Sequence, residues 1–212
     1  DPIKAEEYLQ EAIAIYQEAY DGKSHERLIK GYRQYGQFLH RQGDYKKAEI
    51  KYTKANQIAQ DALASSYKKD LRVAGLKSDI GENYCAQKKS SLGLSVMQEA
   101  LDIIKANLER DSKANHLLRT RYADQKSSIA NCENQNQQKN IALDSFREAS
   151  KIYQEVLSFY NLEGPDYLVQ RLTKFREHFI NHILAIEQLE RNQNRENFNE
   201  TLVLSQISQA SR

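Results

Sequence analysis

The chain has 212 residues, a formal net charge of +2 and a mean hydropathy of −0.79. It contains no apolar run long enough to cross a bilayer and opens with no signal-peptide pattern, so we expect neither a membrane span nor a secretory leader. Two prolines, and no glycine between Gly93 and Gly164, predict an all-α protein. Because Asp1 stands where an initiator methionine would, we expect a piece of a longer protein.

The charge is unevenly distributed along the chain. Residues 1–22 carry a net charge of −5 and residues 23–89 a net charge of +8, while the remaining residues sum to −1. A basic segment in a nearly neutral chain favours an acidic partner. The alternative is a solvated face of lysines with no partner, and the sequence leaves both open.

Helical periodicity predicts eight amphipathic helices. In chain order they cover about residues 3–20, 25–41, 45–64, 66–88, 92–108, 112–132, 141–160 and 165–190. The first carries Tyr8, Ala12, Ile15 and Tyr16 on one stripe. Residues 131–140 are rich in Asn and Gln and predict a polar loop or a frayed helix end. The eighth helix begins at Pro165 and carries an apolar stripe that would cover the end of a helix stack, as a cap or as half of a further repeat: Leu168, Leu172, Phe175, Phe179, Ile183 and Ile186.

Residues 31–60 contain two helical patterns separated by a turn. Gly43 is placed to end the first helix and Asp44 to cap the second. The first pattern comprises Tyr32, Tyr35, Gly36 and Leu39, and the second comprises Ala48, Tyr52 and Ala55. The second pattern, a small residue followed by a large one and then an alanine, occurs four times: Ala5-Leu9-Ala12, Ala48-Tyr52-Ala55, Gly93-Met97-Ala100 and Ala142-Phe146-Ala149. Twelve residues before the last three sets lie Gly36, Gly81 and Ala130. Small residues at these points predict close helix packing.

These motifs resemble the tetratricopeptide repeat (TPR), whose pattern is a large residue, L-G-x2-Y, and A-x3-F-x2-A. The offsets between repeats are 43, 45 and 49 residues, measured from Ala12 to Ala55, Ala100 and Ala149. These long offsets, and the turns at residues 21–25 and 163–166, are similar to the kinesin light chain-like variety with 42-residue-type repeats. The resemblance implies a right-handed α-solenoid of antiparallel helix pairs with capping helices.

We therefore expect one TPR helical-repeat domain over residues 1–190, with about three full repeats and flanking helices. Residues 191–212 would form a polar tail or a short docked helix. Cys85 and Cys132 show no metal or redox spacing, and we expect two small, reduced thiols in a cytoplasmic protein.

The sequence contains no catalytic motif and no cofactor-binding loop, so we expect no enzymatic activity, no cofactor and no small-molecule substrate. His178 and His182 lie four residues apart on one helical face, but a metal site would need a third ligand. We expect them to be partly exposed histidines beside an apolar stripe. Nucleic-acid binding is disfavoured because aromatic residues do not alternate with the exposed basic ones.

The resemblance implies that the first helices of successive repeats line a concave groove for a peptide or helix. In the first full repeat the groove positions are Lys30, Arg33, Gln37, His40 and Arg41. In the two repeats that follow they are Ser78, Glu82 and Asn131. The basic members suit an acidic ligand. We therefore expect an adaptor or scaffold that binds an acidic protein partner. The alternative is a regulatory or sensor domain of a larger enzyme whose catalytic module lies outside this chain.

Overall fold

The computed structural model describes residues 1–110, 116–160, 165–190 and 198–209. All regular structure in those ranges is helical, as the composition predicts, and none of the described helices is long and apolar enough to cross a membrane. The chain forms two compact units, Asp1–Ala106 and Asn107–Arg212.

The first unit contains five α-helices and a short 3-10 helix. In order these are α1 (Pro2–Ala19), α2 (Glu26–Arg41), α3 (Tyr45–Ala62), the 3-10 helix Tyr67–Lys69, α4 (Leu71–Ala86) and α5 (Ser90–Arg110), whose last turn passes into the second unit. The second unit contains α6 (His116–Gln135), α7 (Lys139–Tyr160), α8 (Pro165–Glu190) and α9 (Phe198–Gln209). Within the first unit α2 packs against α1 and α3, and α3 packs against α4; within the second unit α7 packs against α6 and α8, and α8 against α9.

Close contacts at small residues hold the helix pairs of the first unit together. A Cβ atom added to Gly36 on α2 would lie 2.5 Å from Cε1 of Tyr52 on α3, so the ring lies directly on the glycine backbone. At the next pair, a Cβ on Gly81 would lie 2.8 Å from the carbonyl oxygen of Gly93. Ala48 and Ala55 have no solvent exposure. The predicted packing positions of the repeat are therefore confirmed.

The three turns between paired helices share one hydrogen-bond pattern. In each, a residue with positive φ follows the helix, and the next amide donates to a carbonyl five residues back: Asp44 to Leu39, Lys89 to Tyr84 and Gln138 to Glu133. The positive-φ residue is Gly43 in the first turn but Lys88 and Gln137 in the others, at φ values of 62°. This Schellman geometry ends each first helix at the same point in the repeat. The predicted cap is also confirmed, since Asp44 Oδ1 accepts from the Lys47 amide at 3.2 Å.

Three local expectations are wrong. A helix does not begin at Ser66, because Asp70 caps α4 by accepting from the Arg72 amide at 2.8 Å. The polar segment at residues 131–140 is mostly helical: α6 continues to Gln135 because Cys132 and Glu133 face the interior, and only a short turn precedes α7. In α1, Tyr8 and Ile15 are exposed, and Ile13 is the side chain buried beside Gly31 of α2.

Neither Cys85 nor Cys132 is a free thiol, so the expectation of two reduced thiols is wrong. The finding also removes the argument from cysteine chemistry for a cytoplasmic location.

The apolar stripe predicted for α8 forms the core of the second unit. Phe175, Phe179 and Ile186 are almost fully buried and pack in one cluster with Tyr153 and Val156 of α7. Leu204 of α9 belongs to the same cluster, which docks this short helix on the unit. Leu168 lies among the residues whose side chains the structure does not describe.

The same core contains a chain of polar groups from four helices. His178 and His182, expected to be partly exposed, are only 5% and 1% exposed. Ser127 Oγ lies 2.8 Å from Nδ1 of His178, and Ser150 Oγ lies 2.7 Å from Nε2 of His178 and 2.8 Å from Nδ1 of His182. His182 Nε2 lies 3.2 Å from Glu200 Oε1, though without hydrogen-bond geometry, and Arg147 holds Glu200 through bonds of 2.8 and 3.1 Å.

The polar chain can be satisfied with both imidazoles neutral. Ser150 has one hydroxyl proton, so it can donate to one ring and must accept from the other. The Glu200 carboxylate favours a proton on His182 Nε2, so Ser150 donates to His182 and accepts from His178. Burial lowers the pKa of His178 to about 3, and the neighbouring His182 acts in the same direction. Burial likewise lowers the pKa of His182 to about 4, although Glu200 opposes the shift.

The shared turn geometry predicts that Lys88→Gly stabilises the protein. A non-glycine residue at positive φ costs about 1 kcal/mol, and glycine removes that strain. We expect the free energy of unfolding to rise by about 0.5–1 kcal/mol in urea titrations. Lys54→Gly, at an exposed site within α3, is the matched control and should lower it by about 1 kcal/mol. Equal destabilisation by both would contradict the strain argument.

The buried histidines predict a loss of stability in mild acid. Unfolded histidines bind protons below about pH 6.5, whereas the folded ones stay neutral down to about pH 4, so the unfolded state gains protons first. The free energy of unfolding should fall between pH 6.5 and 4, by at most about 1.4 kcal/mol per pH unit for each histidine. Urea unfolding followed by circular dichroism at several pH values measures this slope. It should be shallower in His178→Gln/His182→Gln, and an identical slope would refute the account.

Candidate binding surface

The basic residues predicted to line a groove lie on one face of α2. Their spacing of three or four residues places them on the same side of the helix. The opposite side, with Tyr35, Gly36 and Leu39, is buried. Lys30 and Arg41 are exposed near the two ends of the helix, while Arg33, Gln37 and His40 are partly buried between them. Burial of the apolar side thus leaves the basic side facing outward.

Helix α4 packs beside α2 and contributes a second row of side chains. Ser78 is half-buried and Glu82 is exposed, as expected for positions on an accessible face. We call the surface formed by Lys30, Arg33, Gln37, His40, Arg41, Ser78, Asp79 and Glu82 the α2–α4 face. Asn131, the remaining predicted groove residue, is half-buried on α6 in the second unit.

Asp79, which the sequence analysis did not identify, organises the middle of the α2–α4 face. Its Oδ2 atom accepts from Arg33 Nε at 2.5 Å and from Gln37 Nε2 at 2.9 Å. The Arg33 guanidinium also lies flat against α4, because a Cβ on Gly75 would be only 2.8 Å from its Nη1 atom. Only a residue without a side chain admits this approach. Arg33 is therefore held in one orientation by a carboxylate and a glycine.

A second link across the face joins His40 to Asn83. Asn83 is 1% exposed; its Nδ2 donates to the Tyr45 carbonyl at 2.9 Å, and its Oδ1 lies 3.0 Å from His40 Nδ1. The His40 ring also meets the edge of the Tyr45 ring, with centroids 5.1 Å apart. A polar residue two positions after Gly81 was the available sequence signal for Asn83. Its burial could not be predicted without the position of α2.

The net positive charge of the α2–α4 face is smaller than its number of basic residues suggests. Asp79 neutralises Arg33, and Glu82 adds an exposed negative charge on α4. Lys30 and Arg41 make no ion pair within the described ranges, so they carry the available positive charge. Positive potential is therefore concentrated on α2, with the acidic side chains on α4.

The described residues contain no group of three or more His, Cys, Asp or Glu side chains that could hold a metal ion. What the α2–α4 face offers chemically is a set of charged and hydrogen-bonding groups on a helical scaffold.

Residues 1–61 match the family model described as tetratricopeptide repeat. No curated protein sequence matches the chain. Among solved structures, the nearly identical TPR-like repeats of a Podosopora anserina protein described as a kinesin light chain have a TM-score of 0.55 at 12% identity, covering 99% of this chain and 86% of that chain. The Q17M variant of that protein has a TM-score of 0.57 at 13% identity, with the same coverage.

BtubC (BKLC) from P. vanneervenii has a TM-score of 0.56 at 16% identity, covering 100% of this chain and 87% of that chain. Identities this low show a shared fold and nothing of a shared partner. Together with the helix pairs and their glycine contacts, they confirm the resemblance drawn from the sequence. Residues 1–61 match the tetratricopeptide repeat model, and the chain shares the all-α fold of solved kinesin light chain-like TPR proteins.

Proposed function

We propose that the chain is a protein-interaction module that binds an acidic peptide or helix on the α2–α4 face and acts as an adaptor or scaffold. The observation that carries the proposal is the row of basic side chains on α2. Lys30 and Arg41 are exposed and unpaired in the described ranges, and Arg33 between them is held in place by Asp79. The helix separates Lys30 from Arg41 by about 16 Å, at 1.5 Å per residue. That distance suits a peptide with several acidic residues.

Preorganisation supports binding at Arg33. Its Nη1 atom makes no hydrogen bond within the protein and is not buried, so it can donate to a ligand while Nε remains bonded to Asp79. A guanidinium already fixed by packing loses less side-chain entropy when a ligand binds. Arg33 thus offers a donor of defined direction even though Asp79 offsets its charge.

The acidic side chains of α4 would determine which way a ligand lies across the proposed site. Glu82 would repel a carboxylate of the ligand, whereas the Ser78 hydroxyl can exchange hydrogen bonds with a neutral group. We therefore place the acidic residues of the ligand over α2 and its neutral residues over α4.

The test is titration with a fluorescent dodecapeptide that carries four Asp or Glu residues around a tyrosine. Its matched control replaces each acidic residue by Asn or Gln. Lys30→Glu/Arg41→Glu should raise the Kd of the acidic peptide tenfold or more, because both exposed cations become repulsive; raised salt should weaken binding by the wild type. Arg33 is left intact because reversing its charge would place two carboxylates together at Asp79.

Lys46→Glu/Lys54→Glu is the control for net charge, since both lysines are exposed on α3. This variant should keep the wild-type affinity within about twofold. An equal loss in both double variants would show that charge acts only at long range. The proposed site would be refuted if the wild type bound the acidic peptide no better than its amide analogue.

A further inference from the structure

The tautomer of His40 follows from its contact with Asn83. The Asn83 Nδ2 group donates to the Tyr45 carbonyl, which fixes the orientation of the amide and turns Oδ1 toward His40. Because Oδ1 can only accept, the His40 nitrogen facing it must carry a proton. The reverse orientation would set two oxygens against each other at Tyr45. His40 is therefore protonated on Nδ1 in its neutral form.

This assignment leaves Nε2 as the variable atom of the ring. Nε2 has no hydrogen-bond partner among the residues that the structure describes and is not buried, so it faces solvent at the α2–α4 face. In the neutral ring it presents a lone pair, which repels a carboxylate. In the imidazolium it presents an N–H group, which can donate to one.

The charged and titratable neighbours of His40 come from three helices. They are Arg41 on α2, the Tyr45 ring on α3, and Glu82 beside Asn83 on α4. Arginine, tyrosine and glutamate side chains ordinarily titrate outside the range from pH 5.5 to 8, whereas histidine titrates within it.

We propose that His40 determines specificity for the acidic partner: its Nε2 atom contacts a carboxylate of the ligand, and forming that contact takes up one proton from solvent. The reaction joins neutral His40, a solvent proton and an ionised Asp or Glu of the ligand into an imidazolium–carboxylate pair. This inference rests on the proposed function. It adds that affinity for the acidic partner rises as the pH falls.

Calorimetry tests the proton uptake directly. The dodecapeptide is titrated into the full chain at pH 7 in buffers of different ionisation enthalpy, and the number of protons bound is obtained from the change in apparent heat. We expect a fractional uptake of up to one proton for the wild type and none for His40→Gln. The amide side chain of Gln can still bond Asn83 but cannot titrate. His25→Gln, at a histidine outside the α2–α4 face, should retain the uptake.

The pH dependence of Kd provides the second measurement. Between pH 8 and 5.5 the wild-type Kd should fall by several-fold, and by no more than about tenfold per unit for one linked proton. His40→Lys, which stays charged, should bind tightly at pH 8 without proton uptake, and it keeps the inference testable if His40→Gln fails to fold. Tight binding with no uptake and a constant Kd would overturn the role of His40 while leaving the proposed function intact. No binding at any pH would overturn both.

Discussion

The contact between a glycine and a large side chain at each helix pair is the constraint on which the first unit depends. With Tyr52 lying on the backbone of Gly36, α2 and α3 approach more closely than two ordinary side chains would permit. This approach determines which side of α2 is buried. Since Tyr35 and Leu39 share the glycine side, the basic residues on the other side of α2 face outward. The packing of the repeat therefore exposes the basic row that we propose as a binding site.

The α2–α4 face combines structural and binding roles in the same side chains. Asp79 and Asn83 join α4 to α2, and each leaves part of its α2 partner available: Nη1 of Arg33 and Nε2 of His40. A side chain that is hydrogen-bonded through one nitrogen and accessible at another is held in one orientation and can still bind a ligand. The Asp79 carboxylate and the Asn83 amide of α4 therefore orient the basic residues of the proposed site.

The core of the second unit, as far as the structure describes it, contains a chain of buried polar groups instead of close glycine contacts. Serines 127 and 150 and two neutral histidines place a continuous polar chain inside a cluster of aromatic and aliphatic residues, and it ends at Glu200 of α9. Each imidazole nitrogen of this chain except His182 Nε2 has a hydrogen-bond partner, which limits the free energy lost by burying polar groups. The Arg147–Glu200 pair and Leu204 together attach α9 to this core.

Much of this organisation follows from the sequence by itself, because it depends on local periodicity. The repeat register, the glycine contacts, the Asp44 cap, the stripe of α8 and the common face of Lys30 and Arg41 all arise from spacing within one helix or one turn. Sequence reasoning treated Asp70 as part of a helix rather than as its cap, although the signal was present. Lys88 and Gln137 adopt the geometry of Gly43 without the glycine that would have indicated it.

Only the tertiary structure decided the pairings between helices. Asp79 could not be assigned to Arg33, or Asn83 to His40, because those pairs lie more than forty residues apart and depend on how α4 packs beside α2. The burial of His178 and His182 depends in the same way on serines of α6 and α7, so a helical spacing of four suggested an exposed pair instead. The state of Cys85 and Cys132, neither of which is a free thiol, was likewise invisible in their spacing. Local patterns determine which side of a helix is apolar, whereas the partner of a polar side chain is determined by whichever residue the packing places opposite it.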